Sequence, residues 1–94
     1  MQKVILEGYI EVSEEDVEVV EIELPIHTHL TKNEKGCIVF KVTKDKVAKN
    51  RFNVYEEFEN AEAFEYHQKR IKASRWGAIT KNVVRNYQIK HCVG

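Results

Sequence analysis

One carboxylate in this chain occupies a position where an apolar side chain would be expected. Residues 51–58 (RFNVYEEF) alternate with the period of a β-strand, and Glu56 falls on the same face as Phe52, Val54 and Phe58. A carboxylate on an apolar face is costly unless it is paired or hydrogen-bonded. Two interpretations stay open: a structural ion pair or edge position, which is the commoner case, and a carboxylate positioned in a pocket for catalysis.

The second candidate is a histidine on an amphipathic helix. Ala63, Phe64, His67 and Ile71 recur at helical spacing, so they share one face, which we expect to lie against the sheet. His67 is then either a core-edge residue satisfied by one hydrogen bond, or a pocket residue that acts as a base or a substrate anchor. Periodicity alone favours the first interpretation.

The chain has a single tryptophan, Trp76, in a segment that predicts a short third helix. Ile79, Thr80 and Val83 follow it at three-to-four spacing, although Gly77 weakens the helix. The indole either packs in the core or an interface, or forms one wall of a pocket for an aromatic ligand.

Residues of metal-binding type do not form a regular ligand pattern. Cys37 and Cys92 belong to no C-x-x-C pair. His27 and His29 are separated by one residue, and on a helix they would point about 200° apart. We therefore predict no metal site. The thiols are expected to be reduced, and a disulfide between the two cysteines stays open.

The elements that must position these residues begin with one ambiguous segment, residues 13–33. Its VEVVEIEL run is β-branched, and Pro25 should break or kink a helix. Ser13 and Asp16, however, form a variant of the capping box that starts helices. We predict a helix, with Val20 and His27 on its buried face.

The remaining segments complete a ferredoxin-like order. Asn60 is expected to cap the helix that carries His67. The predicted order is β-α-β-β-α-(α)-β, an α+β fold with a four-stranded antiparallel sheet and helices on one face. The strands are expected at residues 3–12, 37–43, 51–58 and 83–93. The last of them is expected at an edge or reaching across to a partner subunit.

The open face of such a sheet needs a cover. We expect it to expose Tyr9, Tyr55 and Tyr87, and a second copy of the chain is the simplest cover. The sequence therefore predicts a homodimer.

Length and charge set the broad class. The chain has 94 residues, with 15 Lys plus Arg and 15 Asp plus Glu, so its formal charge is zero. One domain over residues 1–94 is expected. Without a global basic field, nucleic acid is not an expected partner. No signal peptide or membrane-length apolar run is apparent, so a cytoplasmic protein without membrane contact is expected.

Three groups of residues carry a resemblance. Glu34-Lys35-Gly36-Cys37, followed by Ile38-Val39-Phe40, looks like an E-P-G-C turn and its strand, with Lys35 in place of proline. A second run matches R-F…(V/Y)-E-x-(W/F)-x-(D/N)-x-x-A-x-x-x-H at Arg51, Phe52, Tyr55, Glu56, Phe58, Asn60, Ala63 and His67. A subgroup signature follows at Gln68, Arg70, Ser74, Trp76, Gly77, Thr80, Arg85 and Tyr87. Over nearly its whole length the chain thus resembles the antibiotic biosynthesis monooxygenase family.

The resemblance implies a homodimeric α+β barrel with a pocket between helices and sheet in each subunit. It also implies oxidation of a small aromatic, quinol or polyketide-like substrate by molecular oxygen, without metal, flavin or haem. On that basis His67 is the catalytic base or hydrogen-bond partner. Trp76 and Phe64 wall the substrate ring, and Tyr87 or Glu56 orients a hydroxyl group.

The same fold supports other activities, so a non-oxidative binding protein or isomerase is the alternative. Haem-degrading relatives carry an asparagine in the first strand and a histidine on a helix past the tryptophan. The first strand here has no asparagine, and no histidine follows soon after Trp76, so haem is not expected.

Overall fold

The structure is a computed structural model that describes residues 2–93, apart from the side chain of Val93. In chain order its elements are β1 (Gln2–Glu11), α1 (Val17–Lys32), β2 (Cys37–Lys44), β3 (Arg51–Phe58), α2 (Ala61–Lys72), α3 (Arg75–Ile79) and β4 (Val84–Val93). The four strands form one antiparallel sheet in the order β2-β3-β1-β4. This confirms the predicted α+β, ferredoxin-like fold, with β4 at an edge. No helix among the described residues is long and apolar enough to span a bilayer.

The segment with conflicting signals is helical. A single 3-10 turn (Glu14–Asp16) leads into α1, which contains Pro25. Val20 and His27 are buried, whereas Ile22 and Ile26 are 61% and 55% exposed. Burial of one helical face against the sheet outweighs the β-propensity of the VEVVEIEL run, because packing of an amphipathic face is the main source of helix stability.

The two predicted helix starts use their side chains differently. The side chain of Asn60 accepts a hydrogen bond from the backbone N–H of Ala63 at 2.8 Å, and α2 starts beside it, as predicted. The Ser13 hydroxyl instead donates to the Asp16 carboxylate at 2.9 Å and caps no backbone N–H. The predicted capping box is therefore wrong in detail, and α1 begins only at Val17.

Asn60→Ala is expected to lower the free energy of unfolding by about 1 kcal/mol, because it leaves a helix N-terminal N–H without its acceptor. Ser13→Ala is the matched control, since Ser13 caps no backbone group, and it should cost less. Urea denaturation of both variants measures the difference. An equal loss in the two variants would contradict the assigned cap.

Gly8 marks a close approach of two strands rather than a bulge. Its φ is +153°, and a Cβ there would lie 1.9 Å from the carbonyl oxygen of Asn86 on β4. The pairings of β1 with β3 and β4 continue through Gly8 without a shift of register. A side chain at this position would therefore push β4 away from β1.

The sheet has an apolar face under the helices and a polar open face. The buried apolar side chains include Val4, Leu6 and Ile10 of β1 and Phe52, Val54 and Phe58 of β3. Ion pairs cross the open face between Lys3 and Glu57, Glu11 and Arg51, and Glu7 and Lys90.

The face expected for one tyrosine was wrong. Tyr87 pairs with Gly8 in the β1–β4 ladder, so it shares the helix-covered face with Leu6 and Ile10. Tyr9 and Tyr55 lie on the open face, as predicted. The alternation along β4 was too mixed in polarity to show which side faces the helices.

Candidate functional site

The helices and the sheet enclose a cavity of about 380 Å³. Small-molecule sites typically measure about 300–1,000 Å³ and are mostly apolar with a few placed polar groups. Apolar walls come from Leu6, Ile10, Phe40, Val42, Val54, Ile71, Trp76, Val83 and Ile89. The polar lining includes His27, Glu56, Lys72, Arg85 and Tyr87. The cavity therefore has the size and lining of a site for a small, mostly apolar molecule with a polar group.

The five residues predicted for the site divide into two sets. Glu56, Trp76 and Tyr87 line the cavity. His67 is fully buried and lies behind Glu56, with its Nε2 atom 3.6 Å from Glu56 Oε1. Phe64 packs on Phe58, with the ring centroids 5.7 Å apart, and is not among the lining residues. Three of the five predicted residues therefore line the cavity, whereas His67 and Phe64 do not.

Glu56 is a buried carboxyl group at the wall of the cavity. It is 6% exposed, and its Oε1 atom has no hydrogen-bond partner. Among the described residues, its only neighbour within ion-pair distance is His67. Burial, followed by the nearby Glu34 carboxylate, raises the pKa of Glu56 to about 8. A carboxyl group with that pKa exchanges protons near neutral pH, which is what a general acid or base requires.

His67 joins Glu56 to a second carboxylate. Its Nδ1 atom lies 2.9 Å from Glu34 Oε2, and Arg70 Nε donates to the same oxygen at 2.6 Å. Arg70 also donates to the Thr31 hydroxyl at 2.9 Å. Burial lowers the pKa of His67 against the opposing effect of Glu34. A neutral imidazole that donates from Nδ1 to Glu34 leaves Nε2 as an acceptor facing Glu56.

His27 is a cavity residue that the sequence did not identify as functional. Its ring stacks on Trp76 with centroids 4.6 Å apart and planes 5° apart, and it meets Phe40 edge-on at 5.3 Å. Burial, with smaller effects of His67 and Arg70, lowers the pKa of His27 to about 3. The imidazole is therefore neutral at physiological pH. Its position on the buried face of α1 was the available signal, but its contact with the tryptophan was not visible in the sequence.

Tyr87 and Arg85 form a polar part of the lining that comes from the edge strand β4. Burial first, and Glu56 second, raise the pKa of Tyr87 to about 12, so its hydroxyl group stays protonated and can donate. The Arg85 guanidinium donates to the carbonyl oxygen of Thr80 at 2.9 Å. Arg85 places a positive charge at the wall, where a developing anion would be stabilised.

The described residues do not bring three metal-ligating side chains together. No group of three His, Cys, Asp or Glu residues within 2–93 is arranged to hold a metal ion.

The fold recurs in solved bacterial structures. A conserved Bacteroides thetaiotaomicron protein of unknown function, described as a possible oxidoreductase, superposes with a TM-score of 0.77 at 18% identity over 96% of this chain and 97% of its own. A Pseudomonas aeruginosa protein, PA3566, superposes with a TM-score of 0.77 at 21% identity, over 97% of this chain and 92% of its own. A candidate antibiotic biosynthesis monooxygenase from Nitrosomonas europaea superposes with a TM-score of 0.72 at 16% identity, over 100% of this chain and 98% of its own. At these identities the likeness establishes the fold.

The family follows from the sequence profile. No curated protein sequence matches the chain significantly. The profile of the antibiotic biosynthesis monooxygenases, however, matches residues 3–78. This range includes β1 except its first residue, the three helices except the last residue of α3, and Glu34, Glu56 and His67. This protein therefore belongs to the antibiotic biosynthesis monooxygenase family.

Proposed function

We propose that this protein oxidises a small aromatic, quinol or polyketide-like compound with molecular oxygen, without a cofactor. The observation that carries the proposal is the Glu56 carboxyl group, buried at the wall of an apolar cavity with its pKa raised to about 8. The names of two structural neighbours, a candidate monooxygenase and a possible oxidoreductase, agree with an oxidative role.

In the proposed reaction Glu56 acts as the base. Its carboxylate removes the acidic proton of an anthrone or quinol, and the resulting anion is rich enough in electrons to reduce oxygen. One electron passes to O₂, and the two radicals combine in a new carbon–oxygen bond. Glu56 returns its proton to the peroxide. The carbon that carries the peroxide then loses its remaining hydrogen as a proton while the O–O bond breaks. The departing hydroxide takes up that proton and leaves as water, and the carbon becomes a carbonyl group.

The other lining residues bind and orient the substrate. Trp76 and His27 present a stacked pair of rings against which a flat aromatic molecule can lie. Tyr87 can donate a hydrogen bond to a substrate oxygen, and Arg85 can stabilise the anion formed after proton removal. His67 takes part through Glu56, since it lies behind that carboxyl group rather than at the cavity surface.

A non-oxidative role is the second candidate, because one feature of the site serves both. A carboxylate beside an apolar cavity could also move a proton between two carbons of a bound substrate, which is isomerisation without oxygen. Oxygen uptake by metal-stripped protein with a panel of quinols and anthrones separates the two. Uptake above the spontaneous rate supports oxidation. No uptake, with compounds that still raise the melting temperature, supports binding or isomerisation.

We further propose a homodimer in which the open faces of two sheets cover one another. The support is the partly buried apolar and aromatic surface of Ile5, Tyr9 and Tyr55 on that face. One chain has a mass of 11.0 kDa. Sedimentation at micromolar concentration should therefore give about twice that mass. A monomer under these conditions would contradict the paired-sheet arrangement.

A further inference from the structure

We propose that His67 is a proton relay that connects Glu56 in the cavity with Glu34 in a separate groove at the protein surface. The role of the relay rests on the proposed function, in which Glu56 is the base. The geometry of the relay does not depend on that function. We call this groove the outer groove; it is lined by Leu30, Glu34, Glu62, Tyr66 and Arg70, among others, and has a volume of about 650 Å³.

The two ends of the relay lie in two different spaces. Glu56 lines the cavity and does not line the outer groove, whereas Glu34 lines the outer groove and does not line the cavity. His67 lines neither and is fully buried between them. Its two ring nitrogens face the two carboxyl groups, at 3.6 Å from Glu56 and 2.9 Å from Glu34.

Two atoms of the relay have no hydrogen-bond partner. Glu56 Oε1 and His67 Nε2 are both buried and without a hydrogen-bond partner, and they face each other. Their separation is only a few tenths of an ångström beyond hydrogen-bond distance. Such contacts in ligand-free sites often tighten when the site is occupied. A protonated Glu56 that donates to Nε2 would satisfy both atoms at once.

An imidazole ring can accept a proton at one nitrogen and release another from its second nitrogen. The Glu56 hydroxyl passes its proton to Nε2, and the bond from Glu56 oxygen to hydrogen breaks. The imidazolium so formed lies between two carboxylates. It then releases the Nδ1 proton to Glu34, which exchanges with water in the outer groove. The return path uses the same atoms in reverse.

Three titratable or charged groups lie around the relay. His27 on α1 lies with its ring centroid 6.2 Å from that of His67, and it is neutral. Arg70 on α2 is bonded to Glu34 and keeps that carboxylate oriented towards His67. Tyr87 on β4 lines the cavity together with Glu56, whose charge raises the pKa of Tyr87. The relay would let Glu56 change its protonation state while a substrate fills the cavity and separates it from water.

Nitrogen-15 and carbon-13 NMR of the ligand-free protein tests the relay without turnover. Below the midpoint of the Glu56 titration we expect His67 to carry its proton on Nδ1. As the Glu56 carboxyl carbon titrates, the His67 nitrogens should shift with the same midpoint, because coupled groups titrate together. A proton on Nε2 below that midpoint, or two independent titrations, would overturn the relay.

Two substitutions extend the test. Glu34→Gln removes a negative charge that raises the pKa of Glu56, so the shared midpoint should move to lower pH. Glu62→Gln is the control, since Glu62 lines the same groove and is exposed; it should leave the midpoint in place. Equal behaviour of the two variants would contradict the relay. If Glu34→Gln does not fold, the position of the proton on His67 in the wild-type protein still tests the relay.

Turnover supplies a second readout. His67→Gln keeps a hydrogen-bonding side chain that cannot pass a proton, and we expect it to slow oxygen uptake with an anthrone by about tenfold or more. A wild-type rate in His67→Gln would overturn the relay. Absence of uptake in the wild-type protein would instead overturn the proposed oxidation, and the NMR result would then decide the relay alone.

Discussion

Glu56→Gln should lower the rate of oxygen uptake with quinols and anthrones by about 10²–10⁴-fold, the usual contribution of a general base. The substitution keeps the size of the side chain and removes its ability to accept a proton. Because Glu56 lines the cavity and has a pKa near 8, the wild-type kcat/KM should rise with pH and level off above about pH 8. The variant should lose that rise.

Glu57→Gln is the matched control for this prediction. Glu57 is the next residue on β3, but it lies on the open face, where it is bonded to Lys3 and Tyr55. It should keep the wild-type rate and pH profile. Stopped-flow or electrode measurements of oxygen uptake compare the three proteins. A wild-type rate in Glu56→Gln would show that another group removes the proton, and His27 is the next residue at the cavity wall to test.

Glu56→Gln, although it should slow the reaction, should make the protein more stable than the wild type at alkaline pH. The pKa of Glu56 is raised from 4.5 to about 8 in the folded state, so the unfolded chain releases this proton at a lower pH than the folded protein does. Stability is therefore fully present below pH 4.5 and is lost as the pH rises towards 8. The whole shift corresponds to at most about 5 kcal/mol.

The best window for this measurement lies between pH 6.5 and 8. Below pH 6.5 the lowered pKa of His27 acts in the opposite sense, because the unfolded histidine takes up a proton that the folded one does not. As the pH rises from 6.5 to 8, the ionisation of Glu56 should lower the free energy of unfolding of the wild-type protein by about 2 kcal/mol. Glu56→Gln should lose little over that range. Urea unfolding of the two proteins at several pH values gives the result, and parallel curves would contradict a buried neutral Glu56.

Local sequence patterns predicted the secondary-structure elements and the burial of Glu56 and His67. The strand of residues 51–58 was predicted with its correct bounds, because alternation over eight residues specifies a half-buried strand. The same alternation placed Glu56 on the buried face. Asn60 identified the start of α2, and helical spacing put His67 on the face towards the sheet. Each of these inferences depends on residues close together in the chain.

What the sequence by itself determined is therefore the order of elements, the buried faces of β3 and α2, and the family likeness. Only the tertiary structure showed that Glu34 reaches His67, that His27 stacks on Trp76, and that Tyr87 faces the cavity. These contacts join residues distant in the chain, and their distances depend on how strands and helices pack. Periodicity specifies which face of an element is buried, whereas packing alone decides which buried side chains meet.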